Sequence, residues 1–181
     1  MEFSKTRFED LIICVPKLFK DDRGYFFESF SKDLLEDFTG KSFNFIQDNQ
    51  SFSKFGTIRG LHFQNPPYEQ TKLLRVIKGE ILDIVVDIRK NSKTFGQHYK
   101  IILSEENHKQ LLVPKGFAHG FIVKSQDAII SYKVDNVYSK KHESGIIFND
   151  NDLNIDWEIS SKEIYISPKD LVLPSFNSIN L

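Results

Sequence analysis

Residues 72–90 read KLLRVIKGEILDIVVDIRK, and this stretch leaves the chain few folds to choose from. Two apolar, β-branched runs flank Lys78-Gly79-Glu80, the mark of two strands joined by a tight hairpin. Strand patterns dominate from residue 43 onward. They recur at 97–103, 110–114, 118–125, 128–134 and 145–148, split by SEENHK, PKG, SQD and KKHES. Short strands at a spacing of roughly 8–12 residues predict an all-β sandwich or barrel. Helix is peripheral. In SKDLLEDFTG, Ser31 suits an N-cap, Leu34, Leu35 and Phe38 form a stripe, and Gly40 stands where a terminating glycine belongs. A second helical piece is placed at 160–165 or 168–171. With 181 residues and neither repeat nor linker, residues 1–181 read as one domain.

Charge and cysteine content narrow the functional classes. With 24 basic and 25 acidic residues the net charge is -1, so no global field favours nucleic acid or an anionic membrane. An anionic ligand must be held by a local cluster. The single cysteine, Cys14, excludes an internal disulfide and suits a reducing compartment. MEFSKTRFED has no apolar signal region and no run approaches membrane-spanning length, so the expected location is the cytoplasm.

The segment GTIRGLHFQ, residues 56–64, places an imidazole on an apolar strand. His62 is either a satisfied core residue or part of a cavity wall where an imidazole does chemistry. Strict alternation puts Ile58, Gly60, His62 and Gln64 on one face and Arg59, Leu61 and Phe63 on the other. For Arg59 and His62 to reach one ligand, Gly60 must break the register, as glycines at bulges do. His98, His108 and His142 sit among polar neighbours and read as solvated.

The stretch PKGFAHGF, residues 114–121, shapes a turn with Pro114 and Gly116 before His119. It resembles the second half-motif of the cupins, small jelly-roll barrels, and GTIRGLH resembles the start of the first. The usual metal ligands are replaced. Gln64 stands for the second histidine, Glu69 lies beyond two prolines, and Val123 follows His119 where asparagine is usual. Two imidazoles without those partners make a poor zinc or iron site, so no metal is expected. A metal-free alternative is proton chemistry. A neutral imidazole takes a proton near pH 7, an ammonium such as Lys72 stabilises an oxyanion, and a phenol such as Tyr132 returns a proton. Taken singly, Lys72 also reads as a solvated strand lysine and Tyr132 as a core aromatic.

From DDRGYFFES to SPKD the chain resembles the dTDP-4-dehydrorhamnose 3,5-epimerase family. The resemblance is carried by DRGYFFES, FIQDNQS, IRGLHFQNPP, KLLRVIKGEILDIVVDIR, PKGFAHGF, SYKVDNVY, GIIFNDNDLNIDW and SPKD. It implies a cupin-like jelly-roll barrel with short peripheral helices, homodimeric and without a cofactor. The implied reaction inverts carbons 3 and 5 of dTDP-4-dehydro-6-deoxy-D-glucose, on the way to dTDP-rhamnose for cell-surface polysaccharide. By the same resemblance His62 is the base, oriented by Asp170, Tyr132 is the proton donor and Lys72 faces the 4-keto oxygen. Arg59, His119, Glu143 and Lys169 are substrate contacts, as are Gln47, Asp48 and Asn49. Arg23 and Glu28 are contacts often supplied across the dimer, and Tyr138 stacks on thymine. Phe26, Phe27 and Phe30 of the YFFESF segment are expected to need cover. Phe63, Thr71 and Val137 depart from the family pattern without removing a catalytic group. A single-carbon epimerase acting on a related nucleotide-linked 4-keto sugar shares the same scaffold and base. A metal-dependent cupin enzyme and an inactive sugar-nucleotide-binding jelly roll are the remaining readings.

Overall fold

The computed structural model describes residues 1–180, and its regular structure is mainly β-strand, antiparallel except where the last strand runs parallel to its partner. In chain order these are β1 Glu2–Lys5, β2 Ile12–Val15, β3 Phe19–Asp21, β4 Gly24–Phe26, β5 Gln47–Lys54, β6 Thr57–Gln64 and β7 Lys72–Lys78. They continue as β8 Glu80–Asp87, β9 His98–Ser104, β10 Gln110–Val113, β11 Phe117–Val123, β12 Asp127–Val134, β13 Glu143–Gly145 and β14 Tyr165–Ile166. The hairpin centred on Gly79 forms as its sequence predicts, because only a left-handed glycine (φ +79°) fits a turn pressed against the Asp127 carbonyl.

Two six-stranded sheets result, with orders β1-β2-β10-β7-β12-β5 and β13-β6-β11-β8-β9 plus β14 beside β6. The jelly roll is therefore a sandwich of two sheets that stay separate, not one closed barrel. Alternation along each strand sorts the apolar side chains into layers. Leu74, Val76, Ile81, Val85, Leu111, Val113, Phe121 and Ile130 fill the space between the sheets. On the outer face of the second sheet, Ile58, Leu61, Leu82, Ile84 and Ile122 are covered by Ile146, Leu153, Trp157 and the C-terminal segment. On the outer face of the first, Ile12, Cys14, Leu73 and Leu112 are covered by the helix and by Phe43. Cys14 is buried there, and desolvation pushes its thiol up to about 12, which leaves it inert.

Helix α1, Lys32–Thr39, has the expected caps: Ser31 accepts from the Leu34 N–H, and Gly40 (φ +68°) donates to the Glu36 carbonyl. Of its predicted stripe, Leu35 is buried but Leu34 is exposed, since one short helix lying on a sheet buries a narrow strip. Both sites considered for a second helix are single 3-10 turns, Ser161–Glu163 and Asp170–Val172. Strands β1–β4 precede residue 43, where the alternation is too short to read. Phe30 joins the cover over the first sheet and Phe27 packs beside Tyr25 and His108, whereas Phe26 stays exposed. Among the described residues, no helix is long and apolar enough to cross a membrane.

Candidate active site

The site is made by an irregularity in β6. Against β11, His62 faces His119, but Arg59 faces Phe121, so β6 holds one residue more than its partner. That residue has to be glycine. Gly60 has φ +120°, and a Cβ there would lie 2.5 Å from the Gly120 Cα and 2.6 Å from the His119 carbonyl oxygen. The bulge exchanges the faces. Before it, Ile58 packs in the outer layer and Arg59 reaches the cavity; after it, Leu61 and Phe63 are outside and His62 is within. Strict alternation, with Ile58 on the face of His62, is thus corrected, and the register break at Gly60 is found.

Between the sheets opens a cavity of about 540 Å³ whose walls include Arg59, His62, Lys72, His119, Tyr132, Lys169 and Asp170. His62 and His119 come from the second sheet, Lys72 and Tyr132 from the first. His62 Nε2 lies 2.7 Å from Asp170 Oδ1. With the proton on Nε2, the Nδ1 lone pair is left to act as a base. Asp170 is seated by the 3-10 turn, its N–H donating to Ser167 Oγ. Burial alone would raise its carboxyl, but the His62 contact, Ser167 and Lys169 hold it below the ordinary range.

Lys72 is half-buried on the opposite wall, and desolvation lowers its ammonium to about 8 against the opposing pull of Asp83 and Glu143. The Tyr132 hydroxyl is pushed up by burial, with Arg59 working the other way, so it holds its proton at neutral pH. His119 Nε2 lies 2.8 Å from Asp83 Oδ2. Arg59 is anchored through Nε to Ser53 Oγ at 2.9 Å and through Nη2 to the Phe52 carbonyl at 3.2 Å.

A second space of about 210 Å³ shares His62, Lys72 and Tyr132 with the first and adds Gln47, Asn49, Tyr138 and Glu143. The Tyr138 hydroxyl donates to Glu143 Oε2 at 2.7 Å, and Lys169 Nζ meets the same oxygen at 2.6 Å. These contacts outweigh burial and keep the Glu143 carboxyl low. Tyr138 itself is exposed, with one ring open for stacking.

Not every expected residue arrives. Asp48, between Gln47 and Asn49, does not line either space and pairs with Lys133. Arg23 is exposed on the β3–β4 hairpin, 2.5 Å from Asp21, and neither it nor Glu28 lines either space of its own chain, which leaves their expected place across a dimer untested by one protomer. His142 packs against Tyr68 with tilted rings, its Nδ1 2.8 Å from Ser139 Oγ, and His98 is half-buried with a lowered pKa from desolvation, so neither is simply solvated. Gln64, at the position of a cupin metal ligand, spends its amide on Tyr68, Val137 and Ser139 backbone groups. Among the described residues no three His, Cys, Asp or Glu side chains converge on one point that would hold an ion. Sequence reading missed Asp83, Ser53 and Ser167. Asp83 left a signal: a carboxylate in the middle of EILDIVV is costly unless it has a task.

The family model described as dTDP-4-dehydrorhamnose 3,5-epimerase matches residues 5–178. The dTDP-4-dehydrorhamnose 3,5-epimerase of Shigella flexneri is 46% identical over 171 residues, 94% of this chain and 93% of that protein. The crystal structure of dTDP-4-dehydrorhamnose 3,5-epimerase from Elizabethkingia anophelis NUHP1 is similar with a TM-score of 0.96 at 45% identity, covering 100% of this chain and 99% of that one. A Legionella pneumophila dTDP-6-deoxy-D-glucose-3,5-epimerase in complex with dTDP-4-keto-L-rhamnose is similar with a TM-score of 0.94 at 42% identity, covering 99% and 94%.

Proposed function

Because the chain belongs to the dTDP-4-dehydrorhamnose 3,5-epimerase family, we propose that it converts dTDP-4-dehydro-6-deoxy-D-glucose to dTDP-4-dehydro-L-rhamnose. The observation that carries the proposal is the opposition of His62 on one sheet to Lys72 and Tyr132 on the other across a shared cavity. Inversion needs a proton removed from one face of the sugar ring and another delivered to the opposite face. A base and a phenol on facing walls suit that task.

In this mechanism His62 Nδ1 takes the proton from the carbon beside the 4-keto group. The C–H electron pair becomes the C=C bond of an enolate, and the charge moves to oxygen, where the Lys72 ammonium stabilises it. Asp170 stabilises the imidazolium and fixes its orientation. Tyr132 then protonates the carbon from the other face as the enolate returns to the ketone. Exchange with water restores the phenol and discharges His62. The cycle runs at carbon 3 and at carbon 5, with neither metal nor cofactor. Tyr138 stacks on the thymine ring, and Arg59, Gln47, Asn49, Glu143, Lys169 and His119 complete the substrate contacts. Asp48, turned toward Lys133, has no direct contact in this reading.

The chain works as one catalytic domain, in the cytoplasm and as a homodimer. The dimer is supported by Phe19, Tyr25 and Phe26, an exposed apolar hairpin that a second copy would cover, bringing Arg23 and Glu28 to the neighbouring cavity. Sedimentation tests the assembly: a monomer with full activity refutes it.

The chemistry is tested by incubating the protein with dTDP-4-dehydro-6-deoxyglucose in deuterated water. Label at carbons 3 and 5 with inverted product is expected, and Tyr132→Phe should retain nucleotide binding while inversion collapses. Label at one carbon alone indicates the single-carbon epimerase. No label overturns the enzyme reading, and inversion by Tyr132→Phe at the wild-type rate removes Tyr132 as donor.

A further inference from the structure

Strand β8 carries Asp83 between Ile81 and Val85, both of which lie fully buried in the core between the sheets. Asp83 is 0% exposed. Its Oδ2 is held by His119, whereas Oδ1 is buried and without a hydrogen-bond partner among the described residues. A carboxylate in this position is strongly unfavourable unless a cation opposes it. The cation that feels its charge is Lys72, which comes from the facing sheet and has no ion pair among the described residues. His119, the other partner, stands directly across from His62 in the β11–β6 register. The inter-sheet face of β8 thus holds one buried acid that is bonded to His119 and directed toward the sheet that carries Lys72.

Resting on the reading above, we propose that Asp83 is a positioning residue of the reaction centre. One of its oxygens fixes the His119 ring, and the other supplies the negative charge that keeps the Lys72 ammonium protonated where the enolate oxygen forms. The charged and titratable groups around Lys72 are Asp83 from β8, Glu143 from β13, Arg59 and His62 from β6, His119 from β11 and Tyr132 from β12. Tyr165, Lys169 and Asp170 stand at the cavity wall, Tyr138 lines the second space, and Glu69, Arg89 and Lys90 line a further, smaller space that Lys72 also borders. Of these, Asp83 and Glu143 favour the charged lysine, against desolvation. Removing Asp83's charge therefore lowers the pH at which Lys72 loses its proton.

The test is Asp83→Asn, nearly isosteric, in protein labelled with ¹⁵N-lysine, with the Lys72 Nζ signal assigned by Lys72→Arg. The Lys72 titration and the alkaline limb of the kcat profile should move together to lower pH by about one unit, while dTDP affinity stays within about twofold. A fall in kcat with both midpoints unmoved shows a packing role and overturns the proposal. Should Asp83→Asn fail to fold, His119→Leu, which cannot donate to Asp83, releases the carboxylate to Lys72, and the same midpoints should move to higher pH; unmoved midpoints again overturn it. The lysine titration is read on the protein itself. A wild-type chain that does not turn over the sugar nucleotide therefore refutes the proposed function, and the titration still decides the role of Asp83.

Discussion

Gly60→Ala should cost the protein both stability and turnover, because one glycine holds the two halves of β6 in their opposite orientations. At φ +120° an alanine is strained by about 1–3 kcal/mol. Its Cβ would also press on the Gly120 Cα at 2.5 Å and the His119 carbonyl at 2.6 Å, both backbone atoms that cannot rotate away. Overpacking of this kind adds a further 1–3 kcal/mol, roughly 4 kcal/mol in all. An unfolding entropy of about 2.1 cal/mol/K per residue, about 0.38 kcal/mol/K for this chain, turns that into a Tm loss of roughly 10 °C. The strand can escape the clash only by shifting against β11, which moves His62 relative to Asp170 and Arg59 relative to Ser53. Displacements near 1 Å at reacting groups cost about 10²-fold in rate. Differential scanning calorimetry gives the Tm, and solvent deuterium incorporation gives the turnover. A variant melting within about 2 °C of wild type with full turnover would refute the claim that the bulge positions the site.

Further outcomes are open to direct measurement. Asp170→Asn should lower kcat by about 10²–10⁴-fold with dTDP binding kept, and near-normal label exchange would exclude a His62–Asp170 pair as the base. Asp87 is fully buried, and although burial raises its carboxyl, bonds from Arg89, Ser92 and Thr94 bring it down to about 2. Its contribution, about 2 kcal/mol, is complete above the unfolded carboxyl value near 3.8 and disappears as pH falls toward 2. Urea titrations of wild type and Asp87→Asn between those pH values should converge, and a constant gap would count against the assignment. Prolonged chelation should leave turnover intact, because the Gln64 amide is already spent on three backbone groups. A stoichiometric metal whose removal stops turnover would contradict this.

Features that depend on neighbouring residues were legible in the sequence. The Gly79 hairpin, the caps at Ser31 and Gly40, and the strands from β7 through β12 follow from spacing, turn chemistry and periodicity, and they form near their expected positions. Motifs around His62 and His119 marked the candidate site, and the need for a register break at Gly60 follows if Arg59 and His62 are to reach one ligand. The family resemblance joined His62 to Asp170, although 108 positions separate them. Contacts between distant segments belong to the tertiary structure. Only the pairing of β11 with β6 and β8 sets His119 opposite His62 and within reach of Asp83. Whether Asp48 turns into or out of the cavity depends on the pleat of an edge strand, which fixes Gln47 and Asn49 on the opposite side. The short strands β1–β4 and β14 carry too few residues for any periodicity, and pairing with longer partners decides them. The chemistry of the site was written in residue types; its geometry came from packing two sheets about a shared cavity, because burial and distance exist only after folding.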